Sequence, residues 1–131
     1  MIGALLALAL LPAFTELPPQ TLETDQCAMA LWDRSSGQRV AFWRATGPLL
    51  LALDPAPQSF APVPGSGSGA PVLGLLPEAR FAANDLTAHI AVAITISPNG
   101  RSATISSGTL TLTAADGEAR ITPVAGIIGC G

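Results

Sequence analysis

Residues 86–96 alternate in character along their whole length. Ala88, Ile90, Val92, Ile94 and Ile96 fall on one side, and Thr87, His89, Ala91, Ala93 and Thr95 on the other. A period of two sends successive side chains to opposite faces of a strand, so the segment predicts an extended ribbon with one aliphatic face. Ser97-Pro98-Asn99-Gly100 ends it, because proline presets φ and Asn-Gly tolerates positive φ. Thr109-Leu110-Thr111-Leu112-Thr113 alternates in the same way, and Asp116-Gly117 turns the chain again. Residues 118–130 read as a last strand, in which Pro123 and Gly126 imply a bulge or an edge position.

Nearer the N-terminus, residues 27–32 and 38–44 flank Asp33-Arg34-Ser35-Ser36-Gly37. This pattern predicts a hairpin with a four-residue loop at 34–37, Gly37 supplying the positive φ. Strict alternation then pairs Asp33 with Gln38, Leu31 with Val40 and Met29 with Phe42, the last four on the core face. Ala28, Ala30, Trp32, Arg39, Ala41 and Trp43 fall on the other face. A helix over residues 24–33 competes, since alanine, methionine and leucine favour helices. Residues 48–54 read as a short buried strand. Residues 55–71 are rich in proline, glycine and serine and predict a mobile loop without regular structure. Pro77 and Asn84 bracket residues that suit one or two helical turns. Short strands with turns every 8–12 residues or so predict an all-β fold with at most one or two short helices. The expected architecture is a small antiparallel β-sandwich or barrel.

Residues 1–14 form an apolar run ended by Pro12. It is shorter than the roughly 20 residues a membrane span needs and matches the apolar region of a signal peptide. A basic stretch before it and a clean A-x-A site after it are both missing, Leu11-Pro12-Ala13 being a poor match. The competing reading makes residues 4–11 a buried element of the domain. Residues 15–26 read as a polar spacer, and residues 27–131 as a single β domain. The polar Thr24-Asp25-Gln26 before Cys27 argues against lipid anchoring. In an exported chain the two cysteines, Cys27 and Cys130, predict one disulfide closing the domain. The expected location is periplasmic or secreted, with no stable membrane span once the leader is removed.

Of the 131 residues, 49% are hydrophobic and 11% charged, a balance that predicts a packed core rather than disorder. Net charge is −3, and the six arginines are scattered, so the concentrated basic patch of a nucleic-acid binder is missing. Gly65-Ser66-Gly67-Ser68-Gly69-Ala70 has the spacing of a dinucleotide fingerprint. Prolines at 62, 64 and 71 deny it the strand and helix that such a loop needs. No cofactor is expected. Two cysteines and one histidine fall short of the four ligands of structural zinc, and Asp116-Gly117-Glu118 lacks the oxygen ladder of a calcium loop. His89 is the sole histidine. Asp85, four residues away on a strand, lies about 13 Å from it, too far to orient the imidazole.

Trp32, Arg39 and Trp43 form the one constellation suited to a partner site, since tryptophan and arginine are over-represented at interface hot spots. The competing reading packs the tryptophans in the core with arginines at the rim. Sparse reactive groups favour a non-catalytic envelope or secreted binding module, whose partner is a protein or envelope component. A structural subunit of a surface assembly is the alternative, followed by a small hydrolase using His89.

Overall fold

The aliphatic faces created by the alternation turn inward over most of their length, because the sheet that carries them closes on itself. Phe42 and the 52% exposed Ile96 are exceptions. The computed structural model describes residues 11–131, which form eight strands and no helix. They are β1 (Cys27–Asp33), β2 (Arg39–Arg44), β3 (Leu49–Leu51), β4 (Gln58–Pro62), β5 (Glu78–Ala83), β6 (Leu86–Ile96), β7 (Ala103–Ala114) and β8 (Ala119–Cys130). Each strand runs antiparallel to its predecessor, and β8 returns to pair with β1, giving a closed barrel.

Eight strands make a barrel just wide enough for its own side chains to fill. Met29, Leu49, Leu51, Phe60, Phe81, Ile90, Leu110 and Ile128 meet inside, each at most 1% exposed. On the outside of β6 and β7, Thr87, Thr95, Thr104 and Thr109 face solvent. On these two strands apolar residues inside and hydroxyls outside are the reverse of the pattern in a membrane-spanning barrel. Turns at 34–37, 54–57, 84–85 and 115–118 lie at one end. The other end carries the 45–48 turn, residues 63–77, the 97–102 turn and the disulfide.

Cys27 and Cys130 stand directly opposite each other on β1 and β8 and are bonded across a sequence separation of 103. The bridge therefore sits on the seam where the first and last strands meet. Gly126 lies on the same seam, between Leu31 of β1 and Ile105 of β7. A Cβ there would run into the Ala30 carbonyl oxygen, a backbone atom that cannot swing aside. Gly126→Ala is accordingly expected to cost about 1–3 kcal/mol, the usual penalty of overpacking. A urea midpoint equal to that of the parent protein would contradict this.

Three sequence expectations need correction: the loop at 55–71, the helical turns at 77–83 and the register of the first hairpin. Residues 55–71 do contain regular structure, since β4 lies within them. Phe60 is buried between outward Ser59 and Ala61, and Pro62 ends the strand where its missing N–H breaks no ladder. Residues 77–83 extend as β5 rather than coil into helical turns. Ala79 and Phe81 point into the barrel, and Asn84, at φ 52°, turns the chain into β6. Residues 27–33 form the expected hairpin strand, which decides against the competing helix. In the first hairpin Trp32 does face Arg39, and the Asp33 N–H donates to the Gln38 carbonyl at 2.9 Å. Beyond Trp32 the register shifts: Leu31 faces Ala41 rather than Val40, and Met29 faces Trp43 rather than Phe42. Val40 is the extra residue of a β-bulge, which reverses the in–out phase of the rest of β2.

Of the segment read as leader and spacer, residues 1–10 lie outside the described residues. Residues 11–26 form a strap against the barrel. Phe14 bridges to Leu53, the Thr15 N–H donates to the Ala52 carbonyl at 2.8 Å, and Leu17 is 2% exposed. Arg120 donates to the carbonyls of Pro12 (2.6 Å) and Leu11 (3.3 Å). The strap thus begins at the 115–118 end, passes over β2, where the Leu17 N–H donates to the Arg39 carbonyl, and leads into β1 at the opposite end.

Candidate functional site

The bulge separates the two tryptophans. Trp43 turns inward, 6% exposed, with its ring edge-on to Phe81 at 4.9 Å and its Nε1 donating to the Gly47 carbonyl at 3.2 Å. Trp32 stays on the outer wall, half-buried, opposite Arg39. Trp32 and Arg39 are therefore together as the sequence suggested, while Trp43 belongs to the core. Phe42, assigned to the core by strict alternation, takes the outward place instead. The run Val40-Ala41-Phe42-Trp43 is apolar throughout, so alternation fits either phase and carries no signal for the bulge.

These outward residues frame a groove of about 220 Å³ between the strap and the outer face of β8, β1 and β2. Its origin is a size contrast across three strands. Ala30 faces Ile127 of β8 on one side and Phe42 of β2 on the other, so a short side chain stands between two long ones. Trp32 and Arg39 line it from the sheet, and Leu17 and Pro18 line it from the strap that is hydrogen-bonded to Arg39. Ile127 is 48% exposed, a large apolar side chain left open to solvent. Arg39 is fixed by Glu16, which accepts from its Nε at 3.0 Å and from its backbone N–H at 3.1 Å. Arg44, the next outward residue on β2, lies with its guanidinium carbon 4.9 Å from the Phe42 ring centre and donates to the Thr21 carbonyl at 2.8 Å.

His89 finds its partner on a neighbouring strand, consistent with the exclusion of Asp85 by distance. Its Nε2 lies 2.7 Å from Glu78 Oε2, on the adjacent strand β5, and Glu78 Oε1 accepts from the Ser68 hydroxyl at 2.7 Å. The order is serine, carboxylate, histidine. A hydrolytic triad needs the imidazole between the other two, where it can take the serine proton. Here the serine hydrogen points at a carboxylate instead. The hydrogen bonds from Ser68 first, and from His89 second, hold the Glu78 carboxyl below its usual value. A lowered folded value means that stability from this pair is present above the unfolded value, about 4.3, and fades as pH falls through the folded value. Glu78→Gln is thus expected to lower the melting temperature slightly at pH 7, by a difference that shrinks as pH falls through the carboxylate range. A constant difference across that range would disprove the assignment.

The Gly65–Ala70 stretch is also accounted for by packing. The Ser66 hydroxyl donates to the Val63 carbonyl and accepts from the Arg80 N–H, while Gly67 and Gly69 press against Leu76 and Pro77. No group of three or more metal-ligating side chains comes together among the described residues. No protein-family model, curated protein or solved structure matches this chain. What defines its class is architecture: a small antiparallel β-barrel of eight strands, filled with its own side chains and closed by a disulfide. Such a bridge is compatible with an oxidising, extracytoplasmic compartment.

Proposed function

We propose that the protein is an exported, non-catalytic binding module that engages an envelope or secreted protein through the groove beside Trp32. The observation that carries this reading is the outward placement of Trp32, Phe42 and Ile127 around Ala30, on a barrel whose interior is already filled. Large apolar side chains left outside a satisfied core are the usual raw material of interfaces, and aromatic anchors flanked by arginine supply most of the binding energy there. Export rests on the apolar run ending at Pro12 and on the disulfide, which persists only outside reducing compartments. The alternative of a polymerising surface subunit gains little support. Every strand has a neighbour on both sides, and of the long strands only two ends, residues 119–123 of β8 and 93–96 of β6, are paired on one side alone, so little open edge offers itself for strand addition.

The test is an in-cell cross-linking pull-down of the full chain beside Trp32→Ala. A specific partner captured by the parent and lost in the variant, with the melting temperature held within a few degrees, is the expected result. Equal recovery by both proteins would remove the groove from the function.

A further inference from the structure

Within that reading, we propose that the groove receives one apolar side chain of a partner polypeptide whose neighbouring residue is a carboxylate, with Arg44 as the counter-charge. Size limits the occupant first. Sites that enclose small molecules usually run from about 300 to 1,000 Å³, and this groove, at about 220 Å³, falls below them. Its open space beside Ala30 suits a single leucine, methionine or phenylalanine side chain. The walls that would touch it, Trp32, Phe42 and Ile127, are apolar.

Charge then selects the neighbour. Arg39 already has its carboxylate in Glu16, whereas no carboxylate lies within 4.0 Å of the Arg44 guanidinium among the described residues. Arg44 is nevertheless held in place, by the Thr21 carbonyl and by the face of Phe42. A guanidinium has five donor hydrogens, and the single hydrogen bond to Thr21 leaves most of them unspent. A cation already ordered on the rim loses little freedom when it pairs, which favours a planar, bidentate acceptor such as a carboxylate. An anionic bilayer fits less well, because the chain carries a net charge of −3 and its other arginines are dispersed.

A random heptapeptide library displayed on phage and selected on the immobilised full chain, with Trp32→Ala as the counter-screen, tests this directly. Enriched peptides that depend on Trp32 are expected to place Asp or Glu beside Leu, Ile, Met or Phe. The corresponding synthetic peptides should weaken about three- to fivefold when the acid becomes its amide, and by a similar factor on Arg44→Gln. Arg101→Gln should have no effect. The amide swap is made on the peptide, so the comparison holds even if Arg44→Gln fails to fold. Trp32-dependent peptides without an acidic neighbour would overturn the carboxylate and leave the groove standing. A library with no Trp32-dependent enrichment would overturn both.

Discussion

Replacing Cys27 and Cys130 together by serine is expected to lower stability by about 2–5 kcal/mol and the melting temperature by on the order of 10 °C. The loop that the bridge closes spans a separation of 103 residues, nearly all of the described chain. Loop-closure entropy grows with the logarithm of loop length, so a bridge this long removes much freedom from the unfolded chain. Its position adds to the effect. The β1–β8 pairing joins the strands most distant in sequence, and without it the sheet has two open edges. Calorimetry of the double variant beside the parent, and of the parent before and after reduction, measures the loss. A midpoint unmoved by complete reduction would show that the seam holds without its bridge.

The second large effect separates the tryptophans. Trp43→Ala is expected to cost about 3–5 kcal/mol, as removal of a buried aromatic side chain does. It empties the space against Phe81 and discards the hydrogen bond to the Gly47 carbonyl. Trp32→Ala opens no cavity in the barrel interior, and a loss of about 1 kcal/mol or less is expected, typical of a substitution outside the core. Chemical denaturation of the two single variants reads this out, the free energy being compared at equal slope. Equal losses would mean that both rings lie on one face of the sheet, as the register that strict alternation predicts places them.

The contrast shows what a local pattern can carry. Residues 86–96 were legible because aliphatic side chains alternate with residues that tolerate water, and they form β6 with the same limits, although beyond the register shift at Ala93 the expected inward face gives way and Ile96 is 52% exposed. The 109–113 segment was legible as a piece of β7, and the 118–130 segment contains all of β8. β4 and β5 were missed for a physical reason. Their inward residues are Phe60 alone, and Ala79 with Phe81, too few for periodicity to rise above the prolines around them. Once β3 and β6 are in place, a barrel cannot close without strands between them, and that demand outweighs the local signal.

Half of the candidate site could be read in the same way. Trp32 opposite Arg39 followed from the turn at 34–37, because pairing close to a turn is set by the turn itself. Phe42 in place of Trp43, Ile127 of β8 and the strap wall at Leu17 and Pro18 did not follow. They reach the groove through the bulge at Val40, the return of β8 to β1 and the docking of residues 11–26.

By itself, then, the sequence determined an all-β chain with an aliphatic interior, one turn-defined hairpin and a disulfide between its only two cysteines. The tertiary structure alone decided that the sheet closes, that β4 and β5 exist, which tryptophan is buried, and that Glu78 meets His89. The division follows from range. Alternation and turn chemistry act over a few neighbouring residues, whereas closure, bulge phase and cross-strand partners depend on contacts between segments up to a hundred residues apart, which no local pattern encodes.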